Sequence, residues 1–435
     1  MSPELIGALG IALMLVFMFL GIPIAICMAS AGFIGLTAIS GFHGAMNMVG
    51  IIPYSTIAAY LLTVLPVYLL MGEFADVSGL MKDSYRAANS WLGGLPGGLA
   101  MASIVGAALF SAVSGSSMAC AAIMTRISLP SLLDEYKYSP RLATGALCAG
   151  GSLGNLIPPG IAFVFYALMS ETSIGALYVA ATIPGIVLTL MYLVQIYVQC
   201  RLNPALGPRG RRTTWKEKLF ATKDVIALTI VFGLIIGGIW AGIFTATEAG
   251  AIGTLFTLVF TIFKRQFNKR HLVQVLKNTI GISGMAFAII LGAEIFSRFI
   301  AVSRLAVGLA SWVLSLNVSP ITVIICIMIV YFILGTAMDA MTMILLTLPI
   351  FLGIMNALHI DLIWFGVLVI IQIELANITP PVGMNLFVVG AMVKDRNIPI
   401  SAIFIGVLPF CFTMLLFNAL MVAFPQLSLV LTRSM

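Results

Sequence analysis

The 435-residue chain is 61% hydrophobic and only 9% charged, with a mean hydropathy of +1.13. Soluble domains carry about 25% charged residues, so the balance excludes a soluble globular protein and describes an integral membrane one. The net charge of +7 does not imply nucleic acid. Seven of the 22 basic residues (Arg201, Arg209, Arg211, Arg212, Lys216, Lys218, Lys223) lie in one linker, and Lys264, Arg265, Lys269 and Arg270 follow two apolar segments later. Such clusters mark cytoplasmic loops and contact lipid head groups.

A span takes about 20 residues, so the length accommodates ten to twelve spans with shorter re-entrant pieces. Leu5 to Leu20 is read as a retained first helix, because Glu4 stands where a signal peptide has a basic leader. The apolar stretch over 5–40 is interrupted at Gly21-Ile22-Pro23, and a second segment covers roughly 51–75. Lys82 to Arg86 and Trp91 read as an amphipathic helix at the membrane surface. Ser114-Gly115-Ser116-Ser117 then sits at the tip of a piece, about 111–133, too short for two spans, which predicts a re-entrant hairpin. A helix from about 142 to 169 breaks at Asn155-Leu156-Ile157-Pro158-Pro159-Gly160, and a span with Pro184 closes the first half. The six cysteines lie far apart in apolar runs without CxxC spacing, the pattern of buried small residues.

The second half retraces this order. Asn377-Ile378-Thr379-Pro380-Pro381 repeats the Asn-x-x-Pro-Pro core 222 residues after Asn155. Glu73 and Trp91 recur as Glu294 and Trp312, both 221 residues on, and Leu129-Pro130 recurs as Leu348-Pro349. Two structural repeats, 45–200 and 265–425, thus flank the linker and scaffold helices of 201–264, with an N-terminal scaffold helix in 1–44 and a tail in 426–435. A second hairpin is expected over about 335–356 and a second broken helix over about 361–393. Paired prolines remove two backbone donors and force each helix to stop and restart. Free backbone groups at bilayer depth are costly unless protein, water or a ligand satisfies them, so two matched breaks predict a transporter site. The repeats are expected to be inverted, because inversion brings both breaks and both hairpin tips to the midplane.

The ordered set Ser114 to Ser117, Leu156-Ile157-Pro158-Pro159, Gly335-Thr336-Ala337-Met338-Asp339-Ala340, Leu348-Pro349-Ile350 and Asn377 to Gly383 resembles the large membrane subunit of TRAP (tripartite ATP-independent periplasmic) transporters, and the similarity covers nearly the whole chain. The resemblance implies an all-α polytopic protein with about 11 transmembrane helices, two re-entrant hairpins and an elevator-type fold. It implies a bacterial inner-membrane symporter driven by sodium, working with a four-helix small membrane subunit and a periplasmic binding protein that delivers an organic acid. C4-dicarboxylates, sialic or other sugar acids and sulfonates all remain open as substrates.

Sodium is a hard cation that favours oxygen ligands. The candidate sodium residues are Ser114, Gly115, Ser116, Ser117, Asn155 and Pro158 in the first half, and Gly335, Asp339, Asn377, Thr379, Pro380 and Gly383 in the second. Ser117, Asn155, Asn385 and Arg126 are candidate substrate contacts. For several of these a second reading stands beside the first. Asp339 binds an ion or is a structural hydrogen-bonded acid, and the two asparagines ligate or cap their half-helices. Ser116 and Ser117 ligate or bond back to their own helix, and Arg126 attracts an anion or snorkels to the interface. Glu374 stabilises the second break without being a ligand, Glu73, Glu294, Arg298 and Arg304 anchor surface helices, and Glu248 sits at a scaffold mouth open to a small-subunit contact. No enzyme is expected: His43, His271 and His359 lie at loops or span ends, and neither an HExxH nor a Walker motif is present. No cofactor is expected besides sodium as coupling ion. A channel is the rival reading, since broken helices also line pores.

Overall fold

The computed structural model describes residues 2–211, 213–335 and 338–435, together with the backbone but not the side chain of Asp224. Arg212 of the basic linker and Thr336 and Ala337 of the second hairpin motif lie outside the described residues.

Among the described residues the chain is helical and has no strands. The first stretch forms α1 (Pro3–Phe19) and α2 (Ile24–Ile57), separated where Pro23 was expected to interrupt. The next interruption comes later than the sequence suggests. α2 runs through residue 45, bending at Gly41 with φ +72°, and the chain breaks only at 58–59, before a short 3-10 turn. The first half continues as α3 (Val64–Val77), α4 (Leu80–Leu92), α5 (Gly98–Ser114), α6 (Ser117–Pro130), α7 (Pro140–Leu156), α8 (Ile161–Ser170) and α9 (Ile174–Leu202). The linker leads into α10 (Trp215–Trp240) and α11 (Ala246–Phe263). The second half is α12 (Lys269–Ser303), α13 (Leu305–Ser315), α14 (Pro320–Gly335), α15 (Ala340–Ala357), α16 (Leu362–Asn377), α17 (Met384–Val393) and α18 (Ile400–Ala423).

Both hairpins are longer than expected. Their arms are whole helices, α5 with α6 and α14 with α15, so they begin near residues 98 and 320 rather than 111 and 335. Among the described residues seven helices are long and apolar enough to cross a membrane, or up to nine if each of two bent pairs counts as one span; α7 with α8 is one such pair, bent by 40°. The expected figure of about eleven exceeds this number.

The second arm of each hairpin packs on the resumed helix of the other half, α6 on α17 and α15 on α8. α7 and α16 meet between them, and α18 and α9 cross over to pack on α7 and α16 respectively. Each contact thus has its counterpart with the halves exchanged. Small residues permit close approach elsewhere: Gly292 lies against the Ala25 backbone, and Gly10 and Gly35 clasp the Phe299 ring between α1, α2 and α12. Five of the six cysteines are buried as expected, but Cys326 is exposed on α14. α4 has the expected amphipathic character, and Trp91 at its end donates to Thr222 of α10 at 3.0 Å.

Candidate functional site

The tip of the first hairpin is set by Gly115. It closes α5 in a left-handed conformation (φ +63°), which glycine adopts without strain, and Ser116 caps α6 by accepting from the Ala119 amide. The tip is docked on the first break. A Cβ on Gly115 would lie 2.4 Å from the Pro159 carbonyl oxygen, and the Gly115 carbonyl accepts from the Ile161 amide at 3.1 Å. Gly335 is likewise pressed against Ala376, one residue before Asn377.

At both breaks the bond between the prolines is cis, and the chain doubles back over the end of its helix. A Cβ on Gly160 would fall 1.9 Å from the Asn155 carbonyl oxygen, and one on Gly383 would fall 2.6 Å from that of Asn377. Glycine is the residue that admits this approach. The two carbonyls it covers belong to the last turns of α7 and α16, where intrahelical partners run out.

Seven helix ends therefore meet at one cavity. It is lined by Gly115, Ser116, Ser117 and Met118 from the first tip, Asp339, Ala340 and Met341 from the second, and Asn155, Ile161, Ala162, Asn377 and Met384 from the breaks. These are the N-termini of α6, α8, α15 and α17 and the C-termini of α5, α7 and α16. Helix N-termini favour anions and C-termini favour cations. The space open to water-sized groups is about 60 Å³, room for a few ions or waters at roughly 10–15 Å³ each. Among the described residues no three His, Cys, Asp or Glu side chains converge. A cation here would be held by carbonyl, amide and hydroxyl oxygens with a single carboxylate at the rim, a donor set suited to a hard ion.

The sequence candidates divide accordingly. Gly115, Ser116, Ser117, Asn155, Asp339 and Asn377 line the cavity, whereas Ser114, Pro158, Gly335, Pro380 and Gly383 shape the backbone behind it. Ser117 does not bond back to its own helix; its hydroxyl accepts from the Asn155 amide at 3.2 Å. Asp339 caps α15, accepting from the amides of Met341 (3.1 Å) and Thr342 (3.3 Å) and from the Thr342 hydroxyl. Thr379 turns its hydroxyl to the Leu375 carbonyl at 2.6 Å instead of into the cavity. Asn385 is completely buried beside Gly151 with both amide atoms unpartnered. Arg126 is exposed, within electrostatic reach of Asp76, and the fold does not bring it to the cavity. Glu248 closes a capping box with Thr245 at the start of α11, and Glu73 accepts from Asn278 at 2.8 Å.

Glu374 exceeds its expected role. It is fully buried, and its Oε1 accepts from the side-chain amides of both Asn155 (2.8 Å) and Asn377 (3.4 Å). Its one sequence signal is spacing, because a residue three positions before Asn377 shares that helix face. Contact with Asn155, 219 residues away, is a property of the fold. The cavity's apolar wall of Met118, Ile161, Ala162, Ala340, Met341 and Met384 also escaped the sequence reading, since these residue types resemble ordinary span residues.

A bundle of long apolar helices whose two hairpins and two broken helices meet at one cavity defines a multi-pass membrane transporter. The chain belongs to the family described as "Tripartite ATP-independent periplasmic transporter, DctM component", whose model matches residues 11–427, and it is accordingly a bacterial inner-membrane large permease. It is 33% identical over 379 residues to the C4-dicarboxylate TRAP transporter large permease protein DctM of Pseudomonas aeruginosa, covering 87% of each chain. It is 29% identical over 419 residues, 95% of each chain, to the sialic acid TRAP transporter large permease protein SiaM of Vibrio cholerae. In fold it resembles the YdaH transporter of Alcanivorax borkumensis, with a TM-score of 0.63, 18% identity and 89% of each chain covered.

Proposed function

We propose that the chain is the permease subunit of a sodium-coupled, binding-protein-dependent secondary importer of an organic acid anion. The convergence of helix ends carries this reading. Oxygens at the C-terminal ends of α7 and α16 suit sodium, while the N-termini of α6, α8, α15 and α17 suit a carboxylate, so cation and anion favour one another's binding across a short distance. Asp339 contributes its charge beside the second half-site. The exchange of equivalent contacts between the halves supports inverted repeats and an elevator motion, in which hairpins and broken helices move together against the remaining helices. A small membrane subunit and a periplasmic binding protein complete the assembly, as the family description "tripartite" suggests. The relatives named above transport a C4-dicarboxylate and sialic acid, which share a carboxylate; that group is the feature we assign to the substrate.

The test is uptake into proteoliposomes holding this chain, its small subunit and a candidate binding protein, with the sodium gradient imposed or collapsed. Uptake is expected to require both gradient and binding protein. Passive flux without either would refute the carrier and support a channel.

A further inference from the structure

Glu374 does not itself line the cavity, yet it touches two residues that do. A side-chain amide has a donor end and an acceptor end, and a carboxylate oxygen can only receive. Because Oε1 takes the Nδ2 hydrogens of both Asn155 and Asn377, each Oδ1 is turned away from Glu374. Among the described residues no donor bonds to either Oδ1, and both asparagines line the cavity. The second carboxylate oxygen, Oε2, is buried and takes neither asparagine amide, the Ser117 hydroxyl of the first hairpin tip also interacts with the carboxyl, and none of the ion pairs among the described residues involves Glu374. An acid at this depth is costly, so its position calls for a use.

We infer that Glu374 is the positioning residue of the coupling-ion site: it holds the donor ends of Asn155 and Asn377, one from each half, so that two carbonyl oxygens face the cavity as a pair. The inference rests on the sodium reading above. Glu374 acts through the asparagines and contributes geometry; its charge is not a ligand. A single oxygen shared by the two breaks also makes the half-sites interdependent, because reorienting one amide alters the hold on the other.

The experiment measures the sodium concentration for half-maximal uptake in the reconstituted three-component system, with size-exclusion profiles in detergent as the folding control. Glu374→Gln retains one carbonyl oxygen at the Oε1 position and is expected to stay within about threefold of wild type. Glu374→Asp keeps the charge but withdraws the oxygens by about one bond length, ~1.5 Å, beyond reach of both amides. It is expected to raise the requirement at least about tenfold, the equivalent of losing one ordinary hydrogen bond. Glu374→Met, of similar bulk without an acceptor, is the second variant and is expected to match Asp. The opposite ranking, with Asp unaffected and Gln impaired, would assign the work to the charge and overturn the proposal, as would wild-type behaviour in all three. A wild-type protein indifferent to sodium would instead refute the coupling reading and the site with it, whereas a sodium-dependent wild type with an impaired Gln variant refutes the Glu374 assignment alone.

Discussion

Gly115→Ala isolates the docking of the first hairpin tip. An alanine at φ +63° carries the strain of a left-handed residue, about 1–2 kcal/mol. Its Cβ would also stand 2.4 Å from the Pro159 carbonyl oxygen, well inside the ~3.3–3.6 Å at which such atoms touch. Pro159 belongs to the double-proline break, so the tip must retreat. That retreat breaks the bond from the Ile161 amide to the Gly115 carbonyl, worth about 0.5–1.5 kcal/mol. The combined cost of about 1.5–3.5 kcal/mol corresponds to a roughly 10–300-fold loss of the docked state. Gly242→Ala is the matched control, because Gly242 has φ +69° with nothing within 4 Å of the new Cβ. In reconstituted uptake, Gly115→Ala is expected to fall at least tenfold below Gly242→Ala at equal membrane insertion. Equal uptake by the two variants would show that the docking contact does not matter and refute the reasoning.

The remaining predictions concern other elements. Asp339→Ser keeps a capping hydroxyl for α15 while removing the charge, so it is expected to preserve thermal stability but lose sodium-driven uptake; Asp339→Ala loses both, with a stability cost of about 0.5–2 kcal/mol. Retained uptake in the serine variant would reduce Asp339 to a cap. The Arg396 guanidinium, bonded to Asp134 at 2.6 Å, holds that exposed carboxyl below its ordinary value. A carboxyl lowered by folding stabilises above its unfolded pKa of about 3.9 and loses that contribution as pH falls through its folded value. Asp134→Asn is therefore expected to melt slightly below wild type at pH 7, the gap narrowing as pH falls below the ordinary carboxylate range; a gap unchanged by acid would contradict this. Of the six cysteines only Cys326 is exposed, so a membrane-permeant maleimide is expected to modify the native protein once, and Cys326→Ser to abolish the reaction.

Much of the architecture was legible in linear order, for reasons that act along the chain. Proline pairs lack donors wherever they fall, so both breaks could be placed to within a residue or two, with α7 ending at Leu156 and α16 at Asn377. Span length follows from bilayer thickness, and the recurrence of Asn-x-x-Pro-Pro announced the repeat. The start of α3 was less legible, because Gly41 bends α2 without ending it. The hairpin arms were underestimated because an apolar arm and an ordinary span have the same composition.

Residue types and spacing alone thus determined a membrane protein with two hairpins and two interrupted helices, along with the polar residues at their tips. Tertiary structure decided which of those residues meet. Asn155 and Asn377 come together through Glu374, Thr379 spends its hydroxyl on its own helix, and Asn385 and Arg126 are kept from the cavity. The physical reason is that a helix break is a local consequence of missing donors, whereas the direction of a side chain at that break depends on which neighbour, hundreds of residues away, offers it a hydrogen bond.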